Sequence, residues 1–155
     1  MSTTLYGLNR GNRMAKLHLI KLSVGSESVD SLIQWQKTAR AQGPDGLPRH
    51  VTRMWPKREA ELLEGGSIYW VVQGLVQCRQ RLLRFDEVIG SDGIRRCAFV
   101  LDPEVIRTST APKRPFQGWR YLKPGEAPAD LSAHRQEEDD LPPDLSAALA
   151  DIGVL

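Results

Sequence analysis

The sequence predicts an α+β fold, in which a curved, mostly antiparallel sheet or partial β-barrel carries two or three short helices. Stretches rich in β-branched and aromatic residues, such as SIYWVV, alternate with Gly- and Pro-containing turns, and two segments space their apolar residues at helical intervals. A length of 155 residues fits one ordinary domain. We expect a flexible N-terminal arm over residues 1–15, the α+β domain over 16–123 and an acidic, disordered tail over 124–155; Met14 is an alternative natural start.

The first half of the domain contains two of the predicted helices. Residues 17–24 (LHLIKLSV) predict a central strand, because apolar residues occupy both of its faces. Ser28 is a suitable N-cap for a helix at about 29–41. After a short strand in HVTRMW, Pro56 suits the first position of a second helix, which the glycine pair of LLEGG ends.

The second half is predicted to be strands. SIYWVV and LVQCRQRLLRF should pair as a hairpin around Gly74, and IRRCAFVLD follows the turn GSDG. Cys78 and Cys97 fall within strands and form no CxxC pair, so we expect buried thiols with neither a disulfide framework nor a metal site.

Charge is divided unevenly along the chain. Residues 1–123 hold 20 of the 21 Lys and Arg against 11 acidic residues, whereas residues 124–155 hold one Arg against 8 acidic residues. The basic body suggests a phosphate-rich or otherwise acidic partner, and the tail suggests self-shielding or a separate extension. No apolar stretch approaches the roughly 20 residues of a membrane span, and the N-terminus lacks the apolar core of a secretory signal, so we expect a cytoplasmic protein with no membrane partner.

The start of the second helix is the first candidate site. Lys57 and Arg58 would lie in the first turn after Pro56, where backbone N–H groups are free and cations oppose the helix dipole. With Arg49 and Arg53 just upstream, they could hold a phosphate. Alternatively, the glutamates of the same helix neutralise them and the cluster is a solvated face.

The segment PKRPFQGWRYLK is the second candidate site, because it places aromatic residues among cations. Bases stack on aromatic rings and cations hold phosphates, so this mixture suits single-stranded nucleic acid. Alternatively, Trp119 and Tyr121 belong to an edge strand and their rings close the core, while the cations point outward. The cations of this segment are Lys113, Arg114, Arg120 and Lys123.

The third candidate site is a pair of arginines on one strand. Arg79 and Arg81 are two residues apart and so would project from one face at about 7 Å separation, where they could track a phosphate backbone or bind a carboxylate. Alternatively, acids such as Asp86, Glu87 or Asp102 pair with them.

Evidence for catalysis is sparse. GxSxG, HExxH, P-loop and GxGxxG signatures are absent from the sequence. His18 is in phase with apolar residues and is expected in the core, while His50 lies beside Arg49 and Arg53 with no nucleophile tied to it by spacing. The sequence assigns no catalytic residue, cofactor or metal.

Five segments carry a family resemblance: HLIKLSVG, RHVTRMWPKR, GGSIYWVVQG, RRCAFVLDP and RPFQGWRYLKP. Together they resemble an alphaproteobacterial family, the domain of unknown function 1489 family, over most of residues 14–125. The resemblance implies a bacterial cytoplasmic protein and carries over no activity or catalytic residue. The order of a helix, GG and a hairpin also resembles PUA-like domains, including the ASCH and EVE groups, which often bind RNA or modified bases; the ASCH motif itself is absent.

These observations predict a non-enzymatic module that binds nucleic acid, RNA rather than DNA, through a basic face. The alternative is an enzyme or small-ligand protein that holds a phosphate or carboxylate. A deep pocket containing His50, Arg53 and Trp55 would favour the alternative, and an open basic face would favour nucleic acid. The candidate binding residues are Arg49, His50, Arg53, Trp55, Lys57, Arg58, Arg79, Arg81, Lys113, Arg114, Trp119 and Arg120.

Overall fold

The computed structural model describes residues 15–131, so most of the predicted N-terminal arm and the tail beyond residue 131 lie outside the described residues. Within this range the chain forms one open, curved sheet of seven strands with two short α-helices, which confirms the predicted α+β class. The strands are β1 (His18–Leu22), β2 (Arg49–Thr52), β3 (Ser67–Val72), β4 (Leu75–Ile89), β5 (Arg95–Leu101), β6 (Ile106–Pro112) and β7 (Trp119–Leu122). The α-helices are α1 (Val29–Gln36) and α2 (Glu59–Leu62), and 3₁₀ turns occupy Ala39–Ala41 and Pro124–Glu126.

The strand order is β2-β5-β4-β3-β1-β7, and β6 pairs separately with β4. β1 and β3 are parallel and the other pairs are antiparallel, as the mostly antiparallel prediction requires. β1 has a partner on each side, so its apolar residues on both faces do mark an interior strand. The chain that follows β2 reaches β7 at the other end of the sheet, where the indole Nε1 of Trp119 donates to the Met54 carbonyl at 2.9 Å.

Apolar residues are buried on both faces of the sheet. Leu19, Trp70 and Phe99 belong to the larger cluster, which helices α1 and α2 cover with Leu32 and Leu62. The smaller cluster occupies the opposite face; its members are Ile20, Tyr69, Val71, Val76 and Leu122. The strict alternation of β1 therefore places its odd-numbered residues towards the larger cluster.

The first helix begins where the sequence predicts. Ser28 is the N-cap, its hydroxyl accepts a hydrogen bond from the Ser31 amide at 3.1 Å, and the Ser31 hydroxyl accepts from the Ser28 amide at 3.0 Å. The α-helix ends at Gln36 rather than near residue 41, and a 3₁₀ turn follows.

The second helix begins three residues later than predicted. It starts at Glu59, and Arg58 has the non-helical backbone angles φ −106° and ψ 46°. The hydroxyl of Tyr121 accepts hydrogen bonds from the amides of Lys57 and Arg58 at 2.8 and 3.2 Å, and thus holds both residues outside the helix. The prediction that these cations lie in a first helical turn is wrong, because their amides bond to a strand that is distant in sequence.

The described domain continues past the predicted boundary at residue 124. The Ser109 amide donates to the Ala129 carbonyl at 2.8 Å, and the Leu131 amide donates to the Arg107 carbonyl at 3.0 Å. Residues 129–131 thus pair with β6. No helix in residues 15–131 is long and apolar enough to cross a membrane.

Candidate anion and nucleic-acid site

A cavity of about 410 Å³ opens where the C-terminal end of β1 meets α1, β2 and β3. β1 contributes Lys21, β2 contributes Arg49 and His50, and β3 contributes Trp70. Helix α1 contributes Trp35 and Gln36, and residues 22–26 complete the rim. Two cations therefore line the cavity, while none of its described lining residues is Asp or Glu.

Lys21 is the cation that the fold places most unusually. The alternation of β1 directs it to the side of the larger apolar cluster, and it lies opposite Trp70 and Trp119 in the two neighbouring strands. Burial lowers the pKa of its ammonium group. Its Nζ donates to the Leu22 carbonyl at 3.3 Å, and no carboxylate among residues 15–131 lies within ion-pair distance. A half-buried ammonium without a counter-ion favours an anionic ligand.

His50 forms the neighbouring part of the cavity wall. Its ring centroid lies 6.0 Å from that of Trp70 and 5.8 Å from that of Phe99. Burial, aided by the charge of Lys21, lowers the pKa of His50 to about 4, so the imidazole is neutral at physiological pH. No side chain or backbone group in the described part of the chain hydrogen-bonds its ring nitrogens. A neutral imidazole offers a ligand one donor and one acceptor.

A buried amide network holds the wall in place. The Nε2 groups of Gln36 and Gln80 each donate to the other's Oε1, at 2.7 and 2.6 Å. Gln80 Oε1 also accepts from the indole of Trp70 at 2.9 Å, and Gln80 Nε2 donates to the Asp102 carbonyl at 3.0 Å. Because these partners are mutually satisfied, Gln36 and Trp70 are fixed before a ligand arrives.

Sequence reasoning missed four of these lining residues: Lys21, Trp35, Gln36 and Trp70. A lysine within a strand that is apolar on both faces was one available signal, since a central strand has no solvated side for it. Trp35 has 49% of its surface exposed. Its only signal in the sequence was its position at the margin of the apolar stripe of the predicted helix.

Of the predicted trio His50, Arg53 and Trp55, the cavity contains His50 alone, accompanied by Arg49. Arg53 is exposed on the segment after β2. Trp55 packs against the larger cluster, and the guanidinium of Arg95 lies 4.1 Å from its ring centroid. β2 ends at Thr52. His50 therefore lies in the strand that lines the cavity, whereas Arg53 and Trp55 lie in the segment that follows this strand.

At the predicted helix-start site, the donors are already engaged. The Tyr121 hydroxyl occupies the amides of Lys57 and Arg58, and the Arg58 guanidinium donates two hydrogen bonds of 2.8 Å to Glu61. The bond to Glu61 raises the pKa of Arg58. For Arg58 the alternative is therefore confirmed, because a glutamate of the same helix neutralises it. Lys57 is an exposed cation.

The paired-arginine prediction is wrong for Arg79. Its guanidinium donates to both carboxylate oxygens of Asp130 at 2.8 Å and to the Ser67 hydroxyl at 2.8 Å, and its side chain is only 8% exposed. Arg79 therefore cannot reach a phosphate backbone. Arg81, on the same strand, is exposed.

In the 113–123 segment, the core-closing alternative is confirmed. Trp119 is 7% exposed, its ring centroid lies 6.2 Å from that of Phe99, and β7 is an edge strand. The prediction that Trp119 binds nucleic acid is wrong, because its ring is buried in the core. Lys113, Arg114 and Arg120 are exposed, and Arg120 lies 4.7 Å from the Phe116 ring centroid.

Two cysteines and one histidine are buried in the core. Cys78 and Cys97 are free and buried, as predicted, and burial raises the pKa of each thiol to about 12. His18 is fully buried, its Nδ1 accepts from the Ser67 amide at 3.0 Å, and burial lowers its pKa to about 4.

The described chain keeps a surplus of cations available to a ligand. Seven of its 18 Lys and Arg residues form ion pairs: Lys16, Arg58, Arg79, Arg84, Arg95, Arg96 and Arg107. Lys21 and Arg49 of the cavity are among the described cations without a carboxylate partner. The basic character of the body is therefore only partly neutralised.

The comparisons with known proteins concern the family alone. No curated protein and no solved structure matches the chain. A family model described as "Protein of unknown function (DUF1489)" matches residues 19–155, a range that includes all the strands and helices described above except the first residue of β1. The chain therefore belongs to this family.

Proposed function

We propose that the protein binds single-stranded nucleic acid, RNA rather than DNA, and that the cavity holds one nucleotide of the bound strand. The observation that carries this proposal is the lining of the cavity: two cations, a neutral imidazole and tryptophan rings, with no carboxylate among the described lining residues. A nucleotide presents the complementary features, a flat base and a phosphate.

Each feature of the cavity has a physical counterpart in such a ligand. Its volume of about 410 Å³ falls within the range of about 300–1,000 Å³ typical of small-ligand sites. The half-exposed ring of Trp35 can stack on a base, and Lys21 and Arg49 can hold a phosphate through charge-assisted hydrogen bonds. The imidazole of His50 can hydrogen-bond a base edge as a neutral donor and acceptor.

Features outside the cavity support a strand rather than an isolated nucleotide. Arg53, Lys113, Arg114 and Arg120 are exposed cations without carboxylate partners in the described range, so further phosphates have positive groups to meet. In the sequence, the order of a helix, GG and a hairpin resembles PUA-like domains, which often bind RNA. We place this activity in the cytoplasm.

The half-buried Lys21 also favours a second candidate, a small phosphate- or carboxylate-bearing ligand held in the same cavity. The two candidates differ in how affinity depends on ligand length. A strand that contacts cations beyond the cavity should bind more tightly than a free nucleoside monophosphate, whereas a small-anion site gains nothing from added nucleotides.

The test is fluorescence anisotropy with labelled single-stranded RNA and DNA of about 12 nucleotides, with a nucleoside monophosphate as competitor. Lys21→Met should weaken RNA binding at least about ten-fold, which corresponds to about 1.4 kcal/mol. Lys16→Met is the matched control, because Lys16 lies near the start of the same strand, is exposed and pairs with Glu64 at 3.2 Å. It should change affinity little.

Salt dependence gives an independent measure. With about four phosphate contacts, the logarithm of the affinity should fall against the logarithm of salt concentration with a slope near −3. Absence of binding to RNA and DNA at low salt would refute the proposal. Equal RNA affinities of the Lys21→Met and Lys16→Met variants would show that the cavity takes no part in binding.

A further inference from the structure

A second cavity, of about 370 Å³, lies beside the first, and residues 22–26 line both. Its other walls come from the β3–β4 turn at Gln73 and Gly74 and from Lys113 and Pro115. The segment 22–26 is therefore a ridge with a cavity on each side. Each cavity has a lysine in its wall, Lys21 in the first and Lys113 in the second.

The ridge is fixed at both of its ends. The Ser23 amide donates to the Val71 carbonyl at 2.9 Å, and the hydroxyls of Ser23 and Ser26 lie 2.7 Å apart across the turn. Gln73 Nε2 donates to the Ser26 carbonyl at 3.3 Å. Gly25 has φ +85°, a conformation that lets the chain reverse sharply at this point.

Val24 occupies the tip of this ridge with 84% of its surface exposed, more than any other large apolar side chain within residues 15–131. A valine in that position gains nothing from the fold, because it packs against neither apolar cluster. Apolar side chains that enter nucleic acid between neighbouring bases separate the two rings and occupy the space between them.

We infer that the two cavities receive consecutive nucleotides of one strand, with Val24 inserted between their bases. This inference rests on the proposed function and adds the number of nucleotides bound and the residue that separates them. Lys113 lines the second cavity, and its amide donates to the Gly74 carbonyl at 2.9 Å, which fixes its backbone there; its side chain supplies a cation for the next phosphate. Glu27 also borders the second cavity, which makes that cavity less positive than the first.

The experiment compares a mononucleotide with a dinucleotide and with longer RNA. We expect the dinucleotide to bind at least about ten-fold more tightly than the mononucleotide, because a linked second nucleotide binds at high effective concentration. Val24→Ser should weaken dinucleotide binding about three-fold to ten-fold and mononucleotide binding less, because Val24 lies on the rim of both cavities and only the dinucleotide buries both sides of its side chain; partial burial of one valine has an effect of this order. Val51→Ser is the matched control, because Val51 is an exposed valine that lines neither cavity.

A dinucleotide that contains the fluorescent base 2-aminopurine reports the separation directly. Unstacking increases its fluorescence, so binding to the native protein should brighten the probe and binding to the Val24→Ser variant should brighten it less. Lys113→Met should also weaken dinucleotide binding, and Lys123→Met is its control.

Two results would overturn the inference while the proposed function stands. One is equal affinity for the mononucleotide and the dinucleotide when Lys21→Met still weakens binding to long RNA. The other is identical dinucleotide binding and brightness for the Val24→Ser and Val51→Ser variants. Absence of binding to RNA of every length would instead refute the proposed function itself.

Discussion

Replacing Asp130 by Ala should destabilise the domain strongly, although the residue lies in the segment predicted to be a disordered tail. Both carboxylate oxygens accept hydrogen bonds of 2.8 Å from Arg79, whose side chain is 8% exposed. Without the carboxylate, this guanidinium keeps its bond to Ser67 but is left as a buried charge without a counter-ion. Breaking a buried pair costs about 3–5 kcal/mol, and because Asp130 itself is 30% exposed we expect the lower end, about 3 kcal/mol.

Urea denaturation, followed by tryptophan fluorescence, measures this loss as a lower midpoint at unchanged slope. The control is Glu64→Ala, which removes an ion pair with Lys16 in which both side chains are more than half exposed, and should cost less than about 0.5 kcal/mol. Adding Arg79→Met to Asp130→Ala should cost less than the sum of the single changes, because it removes the unpaired charge. Equal losses for the Asp130 and Glu64 variants would refute this reasoning. A truncation that removes residues 126–155 also deletes Asp130, so we expect it to cost at least as much stability as Asp130→Ala.

Two further predictions follow from hydrogen bonding and burial. Stability should fall as the pH is lowered from 6.5 towards 4, because burial lowers the pKa of both His18 and His50 to about 4 and the unfolded chain binds protons there that the folded chain does not. NMR titration of the imidazole signals checks this directly, and a folded-state pKa near 6.5 for either ring would contradict it. Tyr121→Phe should cost about 1–2 kcal/mol in the urea assay, because the amides of Lys57 and Arg58 lose their acceptor. An unchanged midpoint would show that these bonds contribute nothing net.

Local features of the fold could be predicted because their causes lie within a few residues. Apolar residues on both faces identified β1 as an interior strand, Ser28 marked the start of α1, and Gly74 marked the hairpin turn, where its φ is +79°. These signals depend on side-chain alternation, a capping hydroxyl and a glycine conformation, none of which requires knowledge of distant residues.

Contacts between distant residues could not be predicted in this way. The hydroxyl of Tyr121 displaces the start of α2 from a position 64 residues away in sequence, and Asp130 neutralises Arg79 across 51 residues. In the sequence, Trp119 is an aromatic residue among cations, but the pairing of β7 with β1 directs its ring towards the core. The same pairing turns Lys21 into the cavity that we propose as the nucleotide site.

The sequence by itself determined the α+β class, most strands, the buried thiols and the net positive charge of the body, because composition and short-range periodicity decide these properties. Only the tertiary structure decided which cations can meet a ligand. A cation's availability depends on whether its strand register directs it towards solvent, a carboxylate or a cavity, and on which distant acid arrives beside it. Arg79 and Lys21 show the two outcomes: one charge is neutralised inside the fold, and the other is left without a counter-ion in the described chain.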